Sequence, residues 1–321
     1  MTGGAGFIGS SVVDVLLEQG HSVLVVDDLS TGSRQFLEDA FGRGLPHADF
    51  HLAVVDLLVE AGLLPGLFAG ADAVVHLAAN ADVRFGWNAP RRDTEQNVIV
   101  TQNVLEAMRR AGIGRILFSS TGSVYGEAPM IPTPEDCPFP VQTSLYGASK
   151  LAAEGLIAAY AEGAGISGTV FRFVSVLGPR YTHGHVVDFM RQLARDPARL
   201  VILGDGRQRK SYMDISDCAR AVVSMLDASH RYEVFNLGVD AYCTVDESAG
   251  WIAERLGLEP EIVHTGGDRG WVGDNPFIYL DTAKIRATGW SPRYGIREAV
   301  ERTVDYLRAH RWILDRAEVR A

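Results

Sequence analysis

Short apolar runs alternate with longer amphipathic stretches through the first half of the chain. Residues 21–26, 73–77, 115–119 and 168–173 are dense in Val, Ile, Leu and Phe and are set off by Gly or polar residues. Such near-continuous runs are expected for strands buried on both faces, as in a parallel sheet. Between them, 7–20, 91–112 and 146–163 carry apolar positions at helical spacing. Strand and helix in alternation predict an α/β fold, a Rossmann-type doubly wound parallel sheet. After Phe173 the alternation loosens, with one further strand expected at 234–237 and helices at 245–256 and 295–310. The pattern predicts a first domain over 1–173, a return segment near 211–240, and a smaller mixed α/β lobe over 174–321.

The first helical stretch is preceded by TGGAGFIGS at 2–10, with Gly3, Gly6 and Gly9 three residues apart. Glycine permits a tight turn and a close approach of backbone to a pyrophosphate, and the helix that follows directs its free N–H groups at the anion. A turn before any packed helix can look similar, so the context matters. The strand at 21–26 ends in Asp27 and Asp28, about 20 residues beyond the turn, where a carboxylate accepts the hydroxyls of an adenosine ribose. An acid there repels a 2′-phosphate, and no Arg follows at once, so NAD is expected rather than NADP. Only Met1 and Thr2 precede Gly3. The strand that leads into such a turn is therefore expected either to be lacking or to begin upstream. An upstream start is favoured, because losing a central strand exposes backbone groups at a cost of several kcal/mol.

A second group of residues carries chemistry. YGASK at 146–150 opens a helical stretch and sets Tyr146 and Lys150 on one face at i, i+4. A phenol is a poor base at neutral pH, and a neighbouring ammonium or a positive nicotinamide ring favours its ionised form. The pentad alone is common on surface helices. Here a strand ending in SSTGSVYGE at 119–127 precedes it, and ligands in open α/β sheets sit beyond the carboxyl ends of strands. Thr121 is the expected catalytic hydroxyl, with Ser119 and Ser123 also able to cap local backbone.

Composition narrows the partners. The 321 residues carry 30 basic and 40 acidic side chains, a net charge of −10, without a basic block, so no nucleic-acid partner is expected. Cys137, Cys218 and Cys243 form no CxxC pair and no metal-ligand spacing, which fits a reducing cytoplasm and no metal site. No uncharged apolar run is long enough for a membrane span, and none is expected.

With these segments in view, the chain resembles the extended short-chain dehydrogenase/reductase family. Within its NAD-dependent epimerase/dehydratase group it is most similar to UDP-glucose (UDP-galactose) 4-epimerases of the short type. The likeness runs along essentially the whole chain, through TGGAGFIGS, VDDLS at 26–30, HLAA at 76–79, Gln96-Asn97-Val98, SSTGSVYGE, YGASK and GDGRQRKSYMDISD at 204–217. It implies that 1–173 is the dinucleotide-binding domain and 174–321 mainly the nucleotide-sugar lobe. It further implies that Gly3, Gly6, Phe7, Ile8 and Gly9 form the pyrophosphate turn, Asp27 and Asp28 meet the ribose, and Asp56 and Leu57 border the adenine. Leu77, Ala78 and Ala79 would line the pyrophosphate, with Asn97, Ser119 and Phe173 as further NAD contacts. Lys150 would hold the nicotinamide ribose, Tyr146 would take a proton from the sugar 4-hydroxyl, and Thr121 would bridge the two oxygens. Arg84, Ser175, Lys210 and Arg269 would contact the UDP-sugar, and helices 91–112 and 146–163 would build a homodimer.

The resemblance also separates sibling reactions. The 4,6-dehydratases carry an Asp-Glu pair after the Thr, and UDP-glucuronate decarboxylases a Glu at the place of Ser123. Here Gly122 and Ser123 stand there, leaving oxidation and re-reduction at carbon 4 as the simplest expected chemistry. Departures occur in the substrate lobe: Ser175 replaces an Asn, Lys210 an Arg and Ser211 an Asp, and the Arg-x-Gly-Asp element is stretched by two residues to RGWVGD at 269–274. Lysine keeps a point charge but loses the bidentate fork. Ile278, at the sugar-size gate, is mid-sized. A UDP-uronic acid, a UDP-N-acetylhexosamine or another nucleotide-sugar reaction stays open, whereas a non-catalytic NAD-binding regulator is disfavoured by the Tyr146/Lys150 pair.

Overall fold

The computed structural model describes residues 1–42, 50–81, 83, 86–138, 141–271 and 274–316. Among the described residues, the first half contains the strands β1 Val23–Asp27, β2 Phe50–Val54, β3 Val74–His76, β4 Arg115–Thr121 and β5 Ser167–Phe173. A further strand, Tyr232–Leu237, returns from the second half and pairs in parallel with β5 from Tyr232↔Gly168 to Leu237↔Phe173. All pairings in this layer are parallel, in the order Tyr232–Leu237, β5, β4, β3, and separately β1 with β2.

Residues 1–3 close the gap between β1 and β3. Thr2 bridges both Val26 and His76 in parallel. Its N–H donates to the Val75 carbonyl at 3.0 Å, its carbonyl accepts from Leu77 N–H at 3.1 Å, and the Met1 carbonyl accepts from Val26 N–H at 2.8 Å. The slot that the sequence pattern leaves open at the sheet centre is thus filled, with its backbone groups paired. The chain runs to one side of this short strand through β1 and β2 and to the other through β3 to β5. The glycine turn therefore emerges at the point where the strand order reverses, where a crevice forms beyond the carboxyl ends.

Each strand feeds two cores because neighbouring side chains point to opposite faces. Val25, Val75, Leu117 and Phe171 join one apolar cluster with Val12, Val13, Leu16 and Leu17 of the helix Phe7–Glu18 (α1). Val26, Val74, Ile116, Phe118 and Val170 join the other, with Val104, Leu105 and Met108 of Val100–Ala111 and Ile157 of Leu145–Gly163. Both faces are covered, which explains the continuous apolar runs.

The smaller lobe is mixed. Ser175–Leu177 pairs with Tyr212–Asp214 and Arg199–Ile202 with Glu261–His264, while Arg209–Lys210 lies between Cys243–Thr244 and Phe277–Ile278. The expected helices appear as Val245–Leu256 and Ile296–Ala309, the first begun by a capping box between Thr244 and Glu247. Helix His185–Arg195 lies in the stretch where the sequence pattern showed no regular element. Removing a ring from the sheet core tests this packing. Phe171→Ala is expected to lower unfolding free energy by about 3–5 kcal/mol in urea titration, and a loss under about 1 kcal/mol would contradict the burial described.

Candidate active site

The glycine turn is built for contact rather than packing. Gly3 has φ of +69°, and a Cβ on it would sit 2.5 Å from the Ala78 nitrogen, so only glycine lets the turn cross the end of β3. A Cβ on Gly9 would lie 2.0 Å from the Gly3 carbonyl, so this glycine permits the turn to fold onto α1. Gly6 differs. A Cβ there meets only the Gly3 carbonyl at 3.4 Å, and Gly6 caps α1 without any side-chain hydrogen bond to the first turn. The first N–H groups of α1 thus face a place kept clear of side chains, which fits a phosphate.

Asp27 ends β1 buried beside this turn. Its Oδ2 accepts from Ala5 N–H and its Oδ1 from Leu29 N–H, both at 2.9 Å. Burial raises its pKa despite these two bonds. Each carboxylate oxygen retains a lone pair for a ribose hydroxyl. Asp28 is exposed and accepts from Ser30 N–H and its hydroxyl, at 2.9 and 2.7 Å, so it shapes the loop. Asp56 likewise accepts from Leu58 N–H at 2.8 Å, and the Leu57 carbonyl is held by Asn103 Nδ2 at 2.9 Å. Leu77, Ala78 and Ala79 line the half-buried end of β3, and Phe7 and Ile8 open α1. The open cradle, the uncapped helix and the buried carboxylate suit NAD.

Tyr146 and Lys150 come from one helix, Leu145–Gly163, capped by Ser144, whose hydroxyl accepts from Gly147 N–H at 3.0 Å. Gly147 lets this start approach the turn after β4, since a Cβ would fall 2.8 Å from the Ser123 carbonyl. Lys150, only 2% exposed, donates from Nζ to the Ser119 carbonyl at 2.8 Å and lies 4.6 Å above the Phe118 ring. Burial pushes its pKa down to about 7, opposed by the charges of Glu154 and Asp93. Tyr146 is half-buried, and burial pushes its phenol up to about 12, with a hydrogen bond to Thr121 acting in the other direction. Both side chains therefore converge on the carboxyl end of β4. Desolvation dominates, and the lowering of the phenol expected from the lysine is not seen. Thr121 accepts from Ser123 N–H at 3.1 Å and donates to the Ser123 hydroxyl at 3.2 Å.

Asn97 lies in a π-helical turn, Thr94–Ile99, which interrupts the helix expected over 91–112. Such turns often mark functional sites. Its amide donates to the Ser149 hydroxyl at 2.9 Å and to the Asn80 carbonyl at 3.1 Å, and its oxygen accepts from Asn80 N–H at 2.8 Å. Asn97 thereby ties the loop after β3 to the Tyr146 helix. Asn80 also donates from Nδ2 to Asp93 at 2.8 Å. Asn80, Asp93 and Gly147 carry no signal in the sequence beyond lying near a motif.

In the other lobe, Ser175 is exposed beyond Phe173 at the end of β5. Lys210 donates to Asp274 Oδ1 at 2.7 Å and to the Asn275 carbonyl. Arg269 donates to Glu127 at 2.6 Å and to the Asp274 carbonyl at 3.1 Å. The two cations expected at a diphosphate thus gather around Asp274, each bonded to a carboxylate side chain. Ile278 sits against Gly122, 3.3 Å from a Cβ placed there. Arg84 lies outside the described residues.

The sequence profile of the NAD dependent epimerase/dehydratase family matches residues 1–238. The UDP-glucose 4-epimerase of Corynebacterium glutamicum is 33% identical over 319 residues, covering 94% of this chain and 93% of that protein. UDP-glucuronic acid decarboxylase 1 of Arabidopsis thaliana is 31% identical over 96% of this chain and 69% of its own length. A crystal structure of a UDP-galactose 4-epimerase is 37% identical, covers 97% of this chain and 98% of its own, and superposes with a TM-score of 0.84.

Two measurements test this geometry. Asp27→Asn is expected to weaken NAD binding about tenfold, near 1.4 kcal/mol, in a fluorescence titration; unchanged affinity would remove Asp27 from the ribose. The unfolded chain binds the Lys150 proton up to its ordinary 10.5 and the folded chain only to about 7. This group's contribution to stability therefore rises with pH between those values. Lys150→Met is expected to raise the melting temperature more at pH 6 than at pH 9, and equal shifts at both would count against the buried amine.

Proposed function

Because the chain belongs to the NAD-dependent epimerase/dehydratase family, which acts on nucleotide sugars, we propose that it interconverts UDP-glucose and UDP-galactose by transient oxidation at carbon 4. The observation that carries this reading is the segment after Thr121. Elimination or decarboxylation calls for extra acid–base groups beside the sugar, whereas Gly122 has no side chain and Ser123 no carboxyl. A Cβ on Gly122 would meet Ile278, the Phe173 carbonyl and Leu280 at 3.3–3.4 Å, so the packing favours glycine there. Tyr146 is then the acid–base group left at the end of β4 for the sugar hydroxyl.

NAD, when bound, supplies the reversible two-electron acceptor for carbon 4. Gly3, Gly6, Gly9 and the N-terminus of α1 would hold its pyrophosphate and Asp27 its ribose. Tyr146 removes the proton from the 4-hydroxyl, and Thr121, close to the phenol at the end of β4, would bridge to the same oxygen. For this the phenol must already be ionised, and Lys150, fixed on the Ser119 carbonyl, together with the positive nicotinamide ring of bound NAD, would favour that form. After the ketone turns over, the same phenol returns its proton to the oxygen, so the enzyme ends each turnover in its starting state. Lys210 and Arg269 would exchange their carboxylate partners for the diphosphate.

Incubation with UDP-glucose, followed by chromatography, is expected to yield UDP-galactose. Tyr146→Phe is expected to lower the rate by roughly 10²–10⁴-fold. Turnover of UDP-glucuronate or UDP-N-acetylglucosamine, with none of UDP-glucose, would overturn the choice of sugar.

A further inference from the structure

The helix that carries Tyr146 and Lys150 grips the sheet a second time, one turn further on. Lys150 holds Ser119 of β4, and Glu154 accepts a hydrogen bond from the hydroxyl of the next residue, Ser120. Arg172 of β5 is the register partner of Ser120 and meets the same carboxylate as a two-pronged fork, Nε to Oε1 at 3.1 Å and Nη2 to Oε2 at 2.7 Å. Both side chains are 4% exposed.

The other prong of Arg172 continues the chain of bonds. Its Nη1 donates to the Tyr125 hydroxyl at 2.7 Å and to the Glu135 carbonyl at 3.1 Å. Tyr125 donates to Asn236 Oδ1 at 2.9 Å, and Asn236 Nδ2 donates to the carbonyls of Thr133 and Asp281 at 2.9 and 3.1 Å. Asp281 follows closely on Ile278. The links from Glu154 through Arg172 and Tyr125 to Asn236 are hydrogen bonds between buried groups, and the last one, to the Asp281 carbonyl, is half-buried.

We propose that the Glu154–Arg172 pair is a positioning device: it fixes Lys150 at the nicotinamide side of the crevice and couples that placement to the loop beside the sugar. A buried ion pair adds little net stability over apolar residues of the same shape, so stability alone is a weak reason for three charges, Lys150, Glu154 and Arg172, to lie out of water together. A fork fixes direction as well as distance. The titratable groups facing Lys150 are Glu154 on its own helix, Asp93 from the neighbouring helix, and His76 of β3, which burial holds down at about 3 and therefore neutral. Glu154 and Asp93 supply the negative field that keeps the amine charged.

The inference rests on the proposed roles of Tyr146 and Lys150, and its test has an arm that needs no turnover. Glu154→Gln keeps the shape and removes the charge. It is expected to bind NAD several-fold more weakly, to lower kcat for UDP-glucose at least about tenfold, to leave KM within about twofold, and to move the alkaline limb of the kcat–pH profile to lower pH. Arg172→Lys, which keeps charge without the fork, is expected to fall between this variant and wild type. A folded Glu154→Gln protein with wild-type NAD affinity and an unmoved alkaline limb overturns the proposal. If that variant does not fold, Arg172→Lys, which opens the fork and keeps the charge, decides: wild-type NAD affinity and an unmoved alkaline limb there overturn it equally. Wild-type protein inert on UDP-glucose would refute the sugar assignment, while NAD affinity still decides the anchor.

Discussion

A lysine ammonium held out of water at the end of β4 constrains everything around it. An amine with few solvent contacts must find acceptors and a negative field within the protein, or it loses its proton. Lys150 finds the Ser119 carbonyl, the Phe118 ring face and the carboxylates of Glu154 and Asp93. Meeting all of these fixes how the helix Leu145–Gly163 lies across the strand ends. That placement in turn requires a glycine at 147, where the helix start brushes the turn after β4. The phenol of Tyr146 then reaches Thr121 as a consequence of helical spacing.

The second requirement of the proposed function is a place for the cofactor's pyrophosphate. The parallel sheet supplies it at the reversal of strand order, where residues 1–3 lead directly into α1. The three glycines of the turn do different work: Gly3 and Gly9 allow the backbone to pack against β3 and α1, whereas Gly6 leaves space in front of the helix. Asp27 is locked to that same turn through Ala5 N–H. The turn and the carboxylate proposed for the ribose are therefore joined directly.

Much of this was legible in the sequence, for identifiable reasons. Strands buried on both faces read as continuous apolar runs, so β1, β3, β4 and β5 stood out, as did several helices with one apolar face, His185–Arg195 excepted. β2 carries no such signal because none of its residues is fully buried and the exposed His51 breaks its apolar run. The TGGAGFIGS, SSTGSVYGE and YGASK segments were readable because their chemistry sits in short stretches of chain. What escaped were partners brought together from far apart. Nothing local tells that Asn97 reaches Ser149, that Arg172 meets Glu154, or that Lys210 and Arg269 gather around Asp274. The π-helical turn at Thr94–Ile99 was equally hidden, since one extra residue in a turn hardly alters an amphipathic pattern.

The most direct test of the central claim is a crystal structure with NAD and a UDP-hexose bound. The account predicts the Tyr146 hydroxyl within about 3 Å of the sugar 4-oxygen, in hydrogen-bond reach, with Lys150 Nζ on the nicotinamide ribose. A sugar whose 4-oxygen lies beyond reach of Tyr146, or a cofactor seated away from the Gly3–Gly9 turn, would contradict it.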